Sequence, residues 1–417
     1  MIVEIDLGVL RLELDNLSVN ELDLRLDQAM REKQREAFST YLMKHDILDD
    51  ASRTCPACNV QMISLGLLPR KIGTLSGPIT INRRRLRCLS CGLDNYPLDK
   101  LIGRNTKHTL PVIERALYLS TDLSYKKTSD TLFKLTGAEI SHGQIQSLAK
   151  KEGALVGKDL EKMASDLFGL GLDPGEVVHR SKDDTLIVAI DGGNIPDRAR
   201  DKFEAKVGIV YGIKANVSKN RVALVDRVGY ASLENAYKFG QKLLCLARRH
   251  GVMSAGRVLA IGDGAGWIRR LVRDFFPGAI YLLDLYHLKR RLKEVLNQDE
   301  DGSLGEAIIK TCLEGRPNDA LTLLNQFIPK NPEQMEKFRK LKVYIHSNRT
   351  GIANYGRTDL FGSGAVEKAI DLIVSRRFKL RGMSWLRPGA AGMLALRLLR
   401  FNGEWDKHWQ WRMASSA

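Results

Sequence analysis

The stretch TLIVAIDGG, residues 185–193, decides the fold of this chain. Its apolar run predicts a strand, and Asp191 lies where that strand runs out. Two further strand-like segments follow after short turns, KFEAKVGIVYG at 202–212 and RVALVDRVGYA at 221–231. A helix at 233–251, a strand at 257–264, a helix at 265–276 and a strand at 279–287 come next. Three antiparallel strands followed by alternating helix and strand predict an α/β, RNase H-like fold.

Three carboxylates in this order are candidate ligands for catalytic metal. Asp191 and Asp263 follow apolar strand residues, and Glu367 opens a predicted helix in GSGAVEKAI, residues 362–370. Phosphodiester cleavage at neutral pH is well served by Mg²⁺ (or Mn²⁺) held by a few carboxylates. Flanking glycines are expected to let the DNA backbone approach the metal, and they are Gly192, Gly193, Gly262, Gly264, Gly362 and Gly364. Taken singly, each acid could instead cap a turn or a helix.

The overall charge favours a polyanionic partner. Lysine and arginine exceed aspartate and glutamate by 65 − 49 = 16, and the sequence pI is about 9.5. Nucleic acid is the expected partner, although a generally basic surface is the alternative. The acidic N-terminus does not resemble a signal peptide, and no apolar run is long enough to span a membrane. We therefore expect a cytoplasmic, nucleoid-associated protein with no membrane partner.

Four of the six cysteines form two CxxC pairs that predict a zinc ribbon. Cys55 and Cys58 precede, and Cys88 and Cys91 follow, a predicted β-hairpin. Two such turns can present four thiolates to one structural Zn²⁺, whereas a redox dithiol would require a single CxxC beside a βαβ unit. Arg83, Arg84 and Arg85, on the strand that enters the second pair, are candidate DNA contacts or an ordinary solvated face.

The remaining segments complete a six-part organisation. The predicted parts are an N-terminal strand and helical region at 1–50, the zinc ribbon at 51–100, a helix-turn-helix-like region at 101–170, the first part of the core at 183–290, a helical insertion at 291–360, and the Glu-bearing helix with basic C-terminal helices at 361–417. In the third part, Ser141 is predicted to cap the second helix, and a plain helical hairpin remains an alternative to a DNA reader.

Several motifs in this order resemble the DDE transposases of bacterial insertion sequences, in the Mutator-like superfamily. They are DGG at 191–193, GDGAGWI at 262–268, LLDLYHLKRRL at 282–292, GSGAVEKAI, RFKLRGMSW at 377–385 and RPGAAGMLALR at 387–397, and CGLDNYPLDKLIG at 91–103 matches a branch with an N-terminal zinc ribbon. The resemblance places the catalytic acids on Asp191, Asp263 and Glu367. It also implies a supporting pair, Asp284 and His287, although the residues alone leave Asp263 and Asp284 equal candidates for the second acid.

The resemblance implies cleavage of insertion-sequence ends and strand transfer into target DNA. Double-stranded DNA, at the terminal inverted repeats and the target, would be the partner, and synapsis implies a homodimer or higher oligomer. Further candidate DNA contacts follow Glu367, and they are Arg376, Arg377, Lys379, Arg381 and Trp385. A basic helix end with core-packing aromatic residues is the alternative there. Two other functions stay open, a DNA-binding regulator or domesticated protein without strand transfer, and a stand-alone metal-dependent nuclease.

Overall fold

A computed structural model describes most of the chain. The described residues are 18–46, 53–199, 201–212, 214–218, 221–224, 226–296, 302–358 and 364–415. The predicted N-terminal strand region and Gly362 lie outside them. The chain divides into two compact units, one of Met1–Ala149 with Trp409–Ala417 and one of Lys150–His408. Among the described residues, no helix has the length and apolar character needed to cross a membrane.

The first unit combines a long helix, a β-hairpin and a group of helices. Helix α1 is Val19–Lys44, and the hairpin strands β1 and β2 are Ile63–Thr74 and Gly77–Arg87. The remaining elements that begin in this unit are β3 (Asp94–Asn95), α2 (Asp99–Ile102), α3 (Leu110–Ser120), α4 (Tyr125–Thr136) and α5 (His142–Val156). Leu42 of α1 packs with Ile72, Ile79 and Ile81 of the hairpin, which gives this unit an apolar core.

Helices α4 and α5 are joined by a short turn, as the sequence predicts. Gly137 ends α4 in the left-handed conformation, with φ +74°, which glycine adopts without a side-chain penalty. The Ser141 hydroxyl accepts from the Gln144 amide at 3.3 Å, and the Gln144 side chain accepts from the Ser141 amide at 2.9 Å. This reciprocal cap confirms the predicted role of Ser141 at the start of α5.

The second unit is built around a five-stranded mixed sheet of described residues. Its elements, after α6 (Lys158–Leu170), are β4 (Thr185–Pro196), β5 (Lys202–Tyr211), β6 (Lys214–Ser218), β7 (Arg221–Leu224), β8 (Val228–Ser232), α7 (Ala236–Arg249), β9 (Arg257–Gly262), α8 (Gly266–Phe275) and β10 (Ile280–Leu283). The strand order is β10-β9-β4-β5-β8, with β4 antiparallel to β5 and parallel to β9. The predicted α/β class is confirmed. Residues 186–190 of β4 are buried, as expected for its central position.

One predicted strand is wrong in its extent. The segment 221–231 is divided into β7, which forms a separate two-stranded sheet with β6, and β8, which joins the central sheet. Asp226 lies between the two strands, where it accepts from the Gly212 amide at 3.2 Å and pairs with the buried Arg180. These contacts hold the chain between the two strands, so that a separate hairpin leaves the sheet before β8 begins.

A run of helices follows β10 and leads to the C-terminus. They are α9 (Leu285–Leu296), α10 (Ser303–Leu313), α11 (Pro317–Leu324), α12 (Pro332–Ser347), α13 (Arg349–Ala353), a 3₁₀ turn (Asn354–Arg357), α14 (Gly364–Ile370), a π-helical turn (Asp371–Ser375), α15 (Arg376–Phe378), α16 (Arg387–Phe401) and α17 (Trp405–Ala414). Helices therefore fill most of the chain between Asp284 and Glu367, as the predicted insertion requires. The predicted domain boundaries themselves stay predictions.

Candidate metal centre

Three acids lie at the same level of three neighbouring strands, Asp263 and Asp284 directly after the ends of β9 and β10 and Asp191 within β4. The prediction that the first strand runs out at Asp191 is wrong, since β4 continues to Pro196 in its pairing with β5. Ile190 of β4 is paired with Gly262 of β9, and Gly262 is paired with Leu283 of β10, all in parallel register. Asp191, Asp263 and Asp284 are the next residues along each strand. The Asp284 amide extends the ladder by donating to the Gly262 carbonyl at 2.8 Å. Because residues in register point to the same face of a sheet, the three carboxylates form a row.

Helix α14 covers the face that carries this row. Gly193, two residues beyond Asp191 and therefore on the same face, lies against Ile370 and Val374 of the helical segment that begins at α14. A β-carbon on Gly193 would lie 3.4 Å from both side chains, so glycine allows the close approach. Glu367 is thereby brought to the acid row. The opposite face is covered by α7, since a β-carbon on Gly208 would contact Leu243.

Glu367 joins Asp284 and His287 in a compact group of potential metal ligands. One ligand atom from each of the three residues lies within 4.8 Å of the others. Asp284 is fully buried. Its Oδ2 lies 2.5 Å from His287 Nδ1 and accepts from the His287 amide at 3.3 Å. Glu367 Oε1 is buried and has no hydrogen-bond partner among the described residues, as an oxygen reserved for a cation would be.

The charges of Asp263, Asp284 and His287 act on the neighbouring Asp191. Burial, together with the charges of Asp263 and Asp284, raises the pKa of Asp191 to about 6 against the opposing effects of the Gly192 amide and His287. The hydrogen bond to Asp284 raises the pKa of His287, which burial alone would lower. The site therefore concentrates negative charge that a divalent cation would relieve. The choice of Asp263 over Asp284 as second catalytic acid stays a prediction.

Side chains from the helical block hold the strand ends that carry these acids. The Tyr344 hydroxyl of α12 donates to the Asp263 carbonyl at 2.7 Å, and the Tyr355 hydroxyl donates to the Leu283 carbonyl at 2.5 Å. Asn348 Oδ1 accepts from the Arg269 guanidinium of α8 at 2.9 Å. These contacts connect the helical block to the two strands that precede Asp263 and Asp284. The helices therefore position the two acids through their backbone.

The glycines around the acids are occupied by protein and do not leave the expected room for DNA. A β-carbon on Gly192 would lie 2.4 Å from the Glu204 carboxylate, and one on Gly262 would lie 2.6 Å from Ile268. Gly264, with φ +89°, lies against Asn348 and Tyr344. The predicted role of these glycines in DNA approach is therefore wrong in this structure. Their close partners are side chains of the same chain. Gly364 is different, since a β-carbon there would have no neighbouring atom within 4 Å among the described residues.

A π-helical turn follows the helix that carries Glu367. Residues 371–375 adopt this widened form, which leaves backbone carbonyls free of their usual helical partners. The buried Arg397 of α16 donates to the Ile373 carbonyl at 2.7 Å and also to the Leu372 carbonyl. The Arg397 guanidinium therefore supplies hydrogen bonds to two carbonyl groups of the π-helical turn and fixes the end of the helix that carries Glu367.

The four predicted zinc ligands form one cluster in the first unit. The Sγ atoms of Cys55 and Cys91 lie 3.6 Å apart, and those of Cys58 and Cys88 lie 3.4 Å apart. One sulfur from each of the four lies within 4.8 Å of the others. The predicted clustering is confirmed, and four thiols at this spacing fit a tetrahedral ion.

The two CxxC turns have the same backbone design. The Asn59 amide donates to the Cys55 carbonyl at 2.9 Å, and the Gly92 amide donates to the Cys88 carbonyl at the same distance. Both Asn59 and Gly92 have positive φ, 54° and 73°. Backbone amides of each turn lower the pKa of its first thiol, to about 6 for Cys88, whereas hydrogen bonds with the other thiols raise the pKa of the second, to about 12 for Cys58. A lowered pKa favours the thiolate, which is the form that binds metal.

The arginines beside the cluster are engaged within the protein. Arg83 pairs with Asp99 at 2.5 Å and lies 3.9 Å from the centre of the Tyr96 ring, and Arg85 pairs with Asp94 at 2.8 Å. Arg84 donates its backbone amide to Asp46. These ion pairs engage Arg83 and Arg85 within the protein, and the DNA contacts of this strand stay a prediction.

The basic segment after Glu367 is only partly available to a ligand. Trp385 is 5% exposed, and its ring lies 4.7 Å from Phe378 and 4.7 Å below the Arg377 guanidinium, which is fully buried. A base cannot stack on an aromatic face that is covered in this way, so the predicted DNA contacts of Trp385 and Arg377 are corrected to core packing. Arg376, Lys379 and Arg381 are exposed.

Sequence reasoning did not identify the residues that support the centre. Tyr344, Tyr355 and Arg397 act through backbone atoms distant in sequence, and Asn348 acts through the side chain of Arg269, so only the tertiary contacts assign them. Aromatic residues in a predicted amphipathic helix are ordinarily core residues, so their type carried no signal.

Comparison with known proteins matches most of the chain to one family. A protein of Streptococcus gallolyticus, described as the UPF0236 protein in the vanSb 3' region, is 23% identical over 356 residues, covering 82% of this chain and 74% of the relative. The model of an uncharacterised protein family, UPF0236, matches residues 12–414, which include both the cysteine cluster and the acid group. The chain therefore belongs to the UPF0236 family.

Proposed function

We propose that this protein is a DDE transposase with an RNase H-like catalytic core, which cleaves insertion-sequence ends and joins them to target DNA. The observation that carries the proposal is the row of Asp191, Asp263 and Asp284 on neighbouring strands, completed by Glu367 from a helix on the same face. The strand order β10-β9-β4-β5-β8 supports the RNase H-like assignment, because β8, the third strand of this sheet along the chain, lies at one edge.

The donor set fits divalent metal, since it offers buried carboxylates and an oxygen of Glu367 that lacks a partner among the described residues. Asp191, Asp263 and Glu367 are the proposed catalytic ligands, supported by Asp284 and His287. Bound metal would activate the attacking oxygen and stabilise charge on the leaving oxygen. The protein's own contribution is to hold the carboxylates in register, with Tyr344 and Tyr355 fixing the strand ends.

The cysteine cluster has a structural role in this proposal. Four thiolates leave no open position on Zn²⁺, so the ion would join the two turns and hold the hairpin without taking part in cleavage. The first unit, with its helix-turn-helix-like pair α4 and α5, would bind the terminal inverted repeats. The exposed Arg376, Lys379 and Arg381 would contact phosphates of double-stranded DNA. Pairing of two ends would require at least a dimer.

Substitution of Glu367 by glutamine tests the proposal. The DNA flanking the gene supplies the inverted repeats for a cleavage assay with Mg²⁺ or Mn²⁺. Glu367→Gln is expected to lower cleavage by at least about a hundredfold, because the amide is a poor ligand in a charge-dependent centre. Glu306→Gln, at an exposed acid of α10, is the matched control and should cleave normally.

Two outcomes would replace the transposase with another function. If the parent binds the repeats but never cleaves them, the protein is a DNA-binding regulator. If it cleaves but cannot join a pre-cut end with a free 3′-hydroxyl to target DNA, it is a nuclease.

A further inference from the structure

The ligand group next to the acid row contains a nitrogen donor. His287 lies on the first turn of α9, three residues after Asp284, so both side chains fall on one side of the helix start. The Asp284 carboxylate holds the ring through Nδ1 at 2.5 Å. Nδ1 therefore lies beside the Asp284 carboxylate, where one ion could take both groups as ligands.

The chemistry of such a group differs from that of an all-carboxylate site. Mg²⁺ prefers six oxygen ligands and retains several waters, whereas a nitrogen ligand favours divalent transition metals, Mn²⁺ among them, over Mg²⁺. The group combines one imidazole with the carboxylates of Asp284 and Glu367, and their ligand atoms lie within 4.8 Å of one another. The buried Glu367 Oε1, without a partner among the described residues, is an independent sign that an ion completes the group.

We infer that Asp284, His287 and Glu367 hold one divalent ion with the imidazole as a direct ligand, so that this position selects Mn²⁺ over Mg²⁺. The inference deepens the proposed function by naming the metal, and it rests on that function's metal centre. It also gives Asp284 a ligand role, next to the predicted role of Asp263. A purely structural His287, which only balances the charge of Asp284, is the competing account.

Spectroscopy of the bound metal separates these accounts. The full-length protein, loaded with zinc at its cysteines, is titrated with Mn²⁺ and examined by electron spin-echo envelope modulation. A directly bound imidazole gives ¹⁴N coupling to the Mn²⁺ electron spin, and we expect this coupling in the parent protein. Its absence while Mn²⁺ is bound at the acid group would overturn the inference without the need for any variant.

Substitution of His287 by asparagine gives the second measurement. Calorimetric titration of His287→Asn should show about a tenfold to hundredfold weaker affinity for Mn²⁺ and a change below about threefold for Mg²⁺. The control is His179→Asn, at a histidine whose side chain is 82% exposed in the same unit. An equal loss of affinity for both metals would assign His287 a structural role and refute the selectivity.

The experiments distinguish a failure of this inference from a failure of the proposed function. A protein that shows nitrogen-coordinated Mn²⁺ but neither cleaves nor joins DNA would retain the metal site and lose the transposase assignment. A protein that cleaves DNA equally well with both metals, without ¹⁴N coupling, would refute the inference and leave the proposed cleavage activity in place.

Discussion

Replacing Asp191 by asparagine is expected to stabilise the metal-free protein at neutral pH. Burial, with the charges of Asp263 and Asp284, raises the pKa of Asp191 from its usual 3.8 to about 6. The folded protein therefore binds this proton more tightly than the unfolded chain does, and the free energy of unfolding falls as the pH rises through this interval. Asparagine keeps the acceptor for the Gly192 amide, which Asp191 Oδ1 accepts at 2.7 Å, and removes the charge.

The size of the effect follows from the shift. A change of about two pKa units corresponds to about 3 kcal/mol at pH 7.5, at 1.36 kcal/mol per unit. At pH 5 most folded molecules already hold this proton, so the gain from Asp191→Asn should fall to about half of that value. The expected change in the free energy of unfolding has the opposite sign to that for a carboxylate in a salt bridge, because removal of a salt-bridged charge is destabilising at neutral pH.

Hydrogen exchange read by mass spectrometry is the suitable assay, because the chain has two compact units and its global unfolding need not be two-state. Peptides that cover 185–196 report the central sheet alone. The buffer is depleted of divalent metal without a chelator, so that the cysteine cluster keeps its ion. Asp319→Asn, at an acid whose side chain is 57% exposed, should change the stability by less than about 0.5 kcal/mol. Equal or lower stability of Asp191→Asn at pH 7.5, or a gain that does not shrink at pH 5, would refute the reasoning.

Two further predictions concern the cysteine cluster and the segment after Glu367. Cys88→Ser should abolish the one bound zinc per chain that elemental analysis would find in the parent, because a serine hydroxyl replaces one of the four thiolates of a closed site; retention of a full equivalent would exclude this ligand. Trp385→Ala should lower the free energy of unfolding of the second unit by about 3–5 kcal/mol, whereas Leu386→Ala, at a 54% exposed residue, should have little effect. A stable Trp385→Ala protein with weaker DNA binding would instead restore the stacking role predicted from the sequence.

The sequence predicts the main path of the chain well, because the signals involved are local. The apolar run 185–190 and the alternation of helices and strands after 233 depend on short-range patterns, and the sheet follows them. The two CxxC pairs are likewise sufficient to predict a cluster, since their spacing across a hairpin brings four thiols together.

Other features depend on contacts that no local pattern contains. The division of 221–231 depends on Asp226, whose partner Arg180 lies 46 residues earlier. Trp385 and Arg377 resemble a surface for nucleic acid in composition, and only the packing of Phe378 against Trp385 shows that they belong to the core. Asp263 and Asp284 could not be separated because the structure places them at equivalent positions on neighbouring strands.

The parallel register of β4, β9 and β10 determines which changes in chain length the site tolerates. The connections between these strands, and the helices between Asp284 and Glu367, can gain or lose residues without moving an acid along its strand. A single insertion within 257–262 or 280–283 would instead turn the following acid to the opposite face of the sheet. Length variation among functional relatives should therefore be confined to the connections, and a one-residue change inside either strand should mark a copy that has lost its centre.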